Sequence, residues 1–373
     1  MTRRRVHQNN GRKPTIVGTG LIALDIVVSE SSTRSTQRYA GGTCGNVSTI
    51  LAFLGWDAFP IARTNGDFTS QWVREDLARF GVRTDYLSVE PTGPVPAIIE
   101  WLGARKDGTP SHRYSFVCPT CGSRKPGHKP IPAKAVAAML PSIETPDVFF
   151  FDRVSRAAIV LAKEFRANGS LIVFEPSGVG EPKLFREALA LTHLLKYSTD
   201  RMGDVMKDHR RDGVRLEIET LGEHGLRFRS RLPAVKTRGW KGMDAFPIKN
   251  LKDAAGAGDW LTGALLNRTA RCGAAGFSAT SEKDLLSAFR FAQAAAAWNC
   301  GFEAPRGGMY CSSADDFIKD VSTILLGKVP ARNASRLDRL DGHKTSPDGA
   351  CLHCQSSRVS AAVAPRRFPK APW

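Results

Sequence analysis

The sequence predicts an α/β fold built on a mainly parallel sheet with helices on both faces. Short apolar runs of strand length alternate with helix-length segments, and two glycine-rich turns each lead from a strand into a helix. The strand-like runs are Thr15–Val28, Asp147–Asp152, Ser170–Glu175, His193–Ser198 and Val214–Leu221. Helical periodicity is read between them over Asn46–Leu54, Ser70–Phe80, Ser155–Asn168 and Pro182–Leu191. Two further helices are read over Asp259–Arg271 and Glu282–Asn299, the second with an alanine face that permits close packing. Residues 88–130 interrupt this order with Pro91, Pro94, Pro96, Pro110 and Pro119, and with strand-like pieces at Ala97–Leu102 and Arg113–Val117. They read as a β lid with a proline-rich insertion.

A chain of 373 residues with 42% hydrophobic content can bury one large core or two modest ones. No apolar run reaches the ~18 residues of a membrane span. The apolar stretch after the basic N-terminus is broken by Gly18, Gly20 and Asp25, which speaks for a first buried strand over an export signal. A cytoplasmic protein is expected. The net charge of +17 is concentrated at the ends: residues 1–13 hold five basic side chains and no acid, and residues 330–373 hold eight basic against three acidic. Solvated basic arms account for this distribution, and no specific nucleic-acid partner or membrane is expected.

The most informative stretch is Asp253-Ala254-Ala255-Gly256-Ala257-Gly258-Asp259, which opens onto a helix. Glycines let a backbone approach a ligand closely, and the free N–H groups of a helix's first turn favour an anion. Asp259 in that turn would stand beside a phosphoryl group, where a carboxylate can take an alcohol's proton while the loop holds developing charge. The plainer reading is an N-capped surface helix after a turn. Gly41-Gly42-Thr43-Cys44-Gly45-Asn46 is the second such turn. Its glycines would admit a small hydroxylated ligand, and Asn46 offers both donor and acceptor to vicinal hydroxyls. Asp25, inside an apolar strand, needs hydrogen-bond partners that a polyol would supply. Gly18-Thr19-Gly20-Leu21-Ile22-Ala23 fits a relaxed dinucleotide fingerprint, but Leu24–Val28 continues as strand and no acid follows about 20 residues on. No G-x-x-x-x-G-K-[ST] loop occurs.

Over about residues 14–310 the chain resembles the PfkB, or ribokinase-like, carbohydrate kinases. Gly41-Gly42…Asn46-Val47-Ser48…Leu54-Gly55 is similar to that family's first signature, and Asp253–Asp259 to its second, usually D-T-x-G-A-G-D. Gly66-Asp67, Gly81-Val82 and Thr220-Leu221-Gly222-Glu223-His224-Gly225 fall where the family has matching elements. The resemblance implies an ATP-dependent, Mg²⁺-requiring kinase acting on a hydroxymethyl group of a monosaccharide, of fructokinase or ribokinase type. Asp259 would be the base; Gly256, Ala257 and Gly258 the anion hole; Asp25, Gly41, Gly42 and Asn46 the sugar site; Thr220, Gly222, Gly225 and Asp253 the ATP site. The implied layout is a basic arm over 1–13, a kinase domain over 14–329 with lid segments near 29–40 and 88–130, and a basic low-complexity tail over 330–373. A homodimer, if formed, would use the lid.

Two features depart from the family pattern. Ala254 replaces the usual Thr, and Lys196-Tyr197-Ser198-Thr199-Asp200-Arg201-Met202 stands where the family has N-x-x-E. Ser198 and Arg201 take the two polar positions, which predicts weaker Mg²⁺ handling or reliance on Asp200, Asp204 or Glu175. A nucleoside kinase of the same superfamily, with Trp101, Tyr114 or Phe116 as a base shelf, and a weakened kinase fold used for binding stand as alternatives. Outside the family pattern, Cys118-Pro-Thr-Cys121-Gly and Cys351-Leu-His-Cys354 suggest a Cys₄ structural zinc tying the tail to the lid. Free thiols or redox pairs are the alternatives.

Overall fold

The computed structural model describes residues 11–29, 36–106, 108, 110–118 and 122–330. Its first apolar run divides at Gly20 into β1 (Thr15–Thr19) and β2 (Ala23–Ser29), which belong to different sheets. Gly20 has φ +143°, and a Cβ there would lie 1.7 Å from the Asp152 carboxylate, which accepts the Leu21 N–H at 2.8 Å. A buried acid thus holds the break, and no side chain fits beside it. This corrects the reading of Thr15–Val28 as one strand: both halves are apolar, and only their distant partners tell them apart.

Next come β3 (Thr36–Gly41), α1 (Thr43–Phe53), β4 (Asp57–Thr64), α2 (Phe68–Arg79) and β5 (Leu87–Val89). Periodicity does not announce β4, because Pro60 removes a ladder donor from its middle. β6 (Ala97–Ala104) and β7 (Pro110–Ser115) pair antiparallel. After α3 (Ala133–Met139) the alternation becomes regular: β8 (Val148–Phe151), α4 (Arg156–Ala167), β9 (Leu171–Phe174), α5 (Pro182–Leu191), β10 (Leu194–Ser198), α6 (Thr199–Met202) and β11 (Leu216–Thr220). The chain then forms β12 (Leu226–Leu232), β13 (Val235–Lys236) and β14 (Lys241–Met243). It closes with α7 (Ala257–Thr269), α8 (Gly273–Ser278), α9 (Glu282–Asn299), α10 (Gly307–Cys311) and α11 (Ala314–Leu325).

The large sheet runs β5-β4-β1-β8-β9-β10-β11 in parallel, with β12 antiparallel at the end carrying β13 and β14. Every residue of β8 (VFFF) and β9 (LIVF) is buried, as a sheet covered on both faces requires. Phe149, Phe151 and Phe174 pack with α4 and α5 on one face, and Val148, Phe150 and Val173 belong to the core on the other. There α7 and α9 lock together, with the Trp260 and Trp298 rings 5.1 Å apart and edge-on. The small sheet, β3-β2-β6-β7, is the lid. Among the described residues no helix is long and apolar enough to cross a membrane.

Candidate active site

Gly256 caps α7 with φ +74°, and a Cβ on it would come within 2.3 Å of the Pro305 carbonyl. Only glycine serves there. Ala257 N–H closes a turn onto Ala254 O at 3.2 Å. The N–H groups of Gly258 and Asp259 have no partner among the described residues, leaving two donors at the head of a helix. Behind them stands Lys196, buried in β10. Its ammonium donates to Gly258 O at 2.8 Å and pairs with Glu175, whose other oxygen accepts from Thr262 Oγ1 at 2.7 Å. A Cβ on Gly258 would be 2.9 Å from Lys196 Nζ, so this glycine makes room for the lysine.

Asp259 lies in the first turn of α7, and its Oδ2 accepts Asn46 Nδ2 at 2.7 Å. Burial and then the negative charge of Glu175 push its carboxyl up to about 7, against the opposing pull of Lys196 and the Asn46 hydrogen bond. A group poised near neutrality takes and releases protons at working pH. The Arg201 guanidinium, exposed on α6, also lowers it.

Asp25 is buried on β2, raised to about 7 by burial and held back by the charge of Arg306 and the Gly42 N–H. A Cβ on Gly41 would strike its carboxylate at 1.8 Å, and one on Gly42, at φ +78°, would meet Leu21 O at 2.5 Å. Asn46 sits in the opening turns of α1. While its amide nitrogen serves Asp259, its oxygen accepts Arg306 Nε at 3.1 Å. Arg306 is itself buried, bonded to Ala40 O and to Asp76 Oδ2 at 3.0 Å. The orientation of Asn46 is thereby set from both ends.

The lid meets the loop at Asp253. His112 Nδ1 of β7 lies 3.3 Å from Asp253 Oδ1, and Glu100 of β6 brings a third ligand-type atom within 4.8 Å of both. Burial, then the charges of Asp253 and Asp25, push Glu100 up to about 9. Asp253 is already engaged, accepting Ala255 N–H at 2.8 Å and Ala304 N–H at 3.0 Å. Its role visible here is to pin the loop between two backbone segments.

Residues 185–307 match the family model of the pfkB family carbohydrate kinases. Over those residues the sequence is that of a PfkB-family domain. By its description that family is one of carbohydrate kinases. No curated protein matches it in sequence. Its fold is similar to that of a ribokinase from Giardia lamblia (TM-score 0.65, 14% identity, 84% of this chain and 99% of the other). It is also similar to a fructokinase with bound ATP from Xylella fastidiosa (0.62, 16%, 85% and 99%) and a nucleoside kinase from Burkholderia thailandensis in complex with inosine (0.58, 18%, 85% and 100%). The fold is therefore the ribokinase-like one.

The structure gathers Asp25, Gly41, Gly42 and Asn46, which precede the matched residues, and Gly256, Ala257, Gly258 and Asp259, which lie within them, around one site. Thr220 ends β11, and Gly222 (φ +59°) and Gly225 (φ +87°) shape the turn into β12, where a Cβ on Gly225 would lie 2.2 Å from Met243 O. Ser198 caps α6 without a side-chain bond, and Asp204 is fully solvated beside Lys207. Sequence reading missed Lys196 and Arg306. The signal for Lys196 was a lone cation in an apolar strand, Leu194-Leu195-Lys196-Tyr197. Of the four cysteines proposed for zinc, only Cys118 lies in the described residues, buried in a turn closed by Gly122 N–H on its carbonyl at 2.8 Å. Cys121, Cys351, Cys354 and the tail fall outside them.

Proposed function

We propose that the protein is an ATP-dependent sugar kinase transferring the γ-phosphate to a hydroxymethyl group of a monosaccharide, as fructokinases and ribokinases do. The observation that carries this is the Asn46 bridge: one amide ties a carboxylate poised near neutrality, at the head of an N–H-donating helix, through Arg306 to the side of the site where Asp25 stands on the lid sheet. A polyol held by Asp25 and Asn46 would present its hydroxyl to Asp259. A primary alcohol is far too weak an acid to ionise beforehand, so Asp259 takes the proton as the phosphoryl group arrives. Gly258 and Asp259 N–H would stabilise charge on the transferring group, with the Lys196 ammonium behind them.

The residues fit ATP in having unpartnered donors at the loop. Mg²⁺, when bound with ATP, supplies neutralisation of the phosphates; Glu175 is the carboxylate nearest the loop's back, and it is already balanced by Lys196. A metal response unlike that of N-x-x-E enzymes follows. The His112–Tyr114 ring pair on the lid, with centroids 5.1 Å apart, would suit a base and supports a nucleoside as second reading. ADP release measured over fructose, ribose, other hexoses and nucleosides decides. Turnover of a free sugar is expected; turnover of nucleosides alone moves the acceptor class, and no turnover with any acceptor defeats the kinase reading.

A further inference from the structure

At the opposite end of β11 from the ATP turn lies a second charged constellation. β11 and β12 are antiparallel, with Glu217 facing Arg229 and Glu219 facing Arg227. Both are ion pairs, at 2.6 and 2.7 Å. The two-residue period of a strand sets Arg227, Arg229 and Arg231 on one face. Beyond Glu217 the balance fails. Arg211, Arg229, Arg231 and Arg238, with Glu217 and Thr237, line a cavity of about 170 Å³. Four guanidiniums there share one carboxylate. Arg211 Nε lies 3.2 Å from Glu217 Oε1, yet this buried donor makes no hydrogen bond. Arg238 has no ion pair among the described residues and is exposed at the rim. Arg231 donates to Arg211 O at 3.1 Å and Asp212 O at 3.4 Å, which braces the wall.

We propose that this cavity binds the phosphate group of a small phosphorylated molecule, at a site separate from the transferred phosphate. Guanidinium forks match the several oxygens of a phosphate, and an unmade buried donor plus an unpaired arginine are what such a ligand would complete. The cavity is a pocket at a sheet edge, which suits a compact anion better than a nucleic-acid backbone running over a surface. About 15 Å of strand separates it from Gly222 and Gly225. The inference stands on this cluster alone and does not need the sugar-kinase reading.

Sodium pyrophosphate is the probe, titrated calorimetrically into the full-length protein at constant ionic strength. Saturable binding is expected in the wild type. Arg231→Ala/Arg238→Ala should weaken it at least about tenfold, since hydrogen bonds to charged groups are lost. Lys236→Ala, an exposed cation on the same hairpin that does not line the cavity, should leave it unchanged. Trp240, with Arg227 and Arg229 over its ring at 4.8 and 4.9 Å, should report binding in emission that Trp240→Phe lacks. Binding equal in wild type and the double arginine variant overturns the proposal, as does equal weakening by Lys236→Ala. Displacement of pyrophosphate by a short single-stranded RNA at lower concentration would overturn it in favour of a polyanion surface.

Discussion

In the loop that opens α7, every buried acid has something to answer it. Glu175 faces Lys196, Asp253 accepts two backbone N–H groups, and Asp259 accepts from Asn46. In the lid, Glu100 is buried near Asp253 and Asp25 with no Lys or Arg paired to it among the described residues, and both Glu100 and Asp25 are driven toward their neutral forms. The contrast separates two kinds of preparation. The loop is organised before any ligand arrives, whereas the buried Glu100 oxygens of the lid make no hydrogen bond among the described residues.

The largest effect should come from breaking the loop's balance. Lys196→Met leaves the half-buried Glu175 without its cation, with only the Thr262 hydroxyl on it, and should lower unfolding stability by about 3 kcal/mol in denaturant titrations. Adding Glu175→Gln should recover much of that stability without restoring activity. If the single variant is as stable as wild type, the lysine is not balancing the loop. Next, Asp259→Asn should keep fold and sugar binding but reduce kcat by about 10²-fold or more; near-normal turnover would remove Asp259 from the role of base. On the lid side, Asp25→Ala should raise the sugar's dissociation constant by an amount worth about 1–3 kcal/mol, leaving ATP affinity nearly unchanged. Equal losses for both ligands in calorimetry would mean that Asp25 is structural.

A further prediction concerns pH. Asp25 and Asp259 at about 7, and Asp152 at about 6, are raised above the 3.8 of a free aspartate. The folded chain therefore holds protons that the unfolded chain releases between about pH 4 and 7. Their contribution to stability is complete below that window and is lost as pH rises through it. Burial holds His128 and His193 down to about 4, which opposes this in part; the melting temperature of the ligand-free protein should still climb as pH falls from 7.5 toward 5.5, and Asp259→Asn should flatten the climb. An unchanged slope would show that Asp259 ionises freely in the fold.

The glycine loop, Asp259, Asn46 and the α/β alternation were legible because each rests on local chemistry: a turn, a first helical turn, a buried run. Lys196 was not, because its partner Glu175 is met only once β9 and β10 lie side by side. Arg306 was hidden for the same reason, since Asp76 and Asn46 come from α2 and α1. The break at Gly20 was lost in continuous apolar character. The arginine face of Leu226–Leu232 was present as a period of two, but its meaning depended on the register that sets Glu217 and Glu219 opposite.

The division at Gly20 has a consequence for the order of folding. The chain leaves the large sheet after β1, yet β2's parallel partner β6 begins only after β3, α1, β4, α2 and β5 have been threaded, with Leu24 opposite Ala97. Closing that span costs chain entropy before the β2–β3 and β6–β7 pairs can join into one sheet, while β1 pairs with the nearer β4. The large sheet should therefore nucleate first, with the lid completing last. In the native protein, amide hydrogens of β2 and β6 should exchange through a local opening at lower free energy than those of β8 and β9.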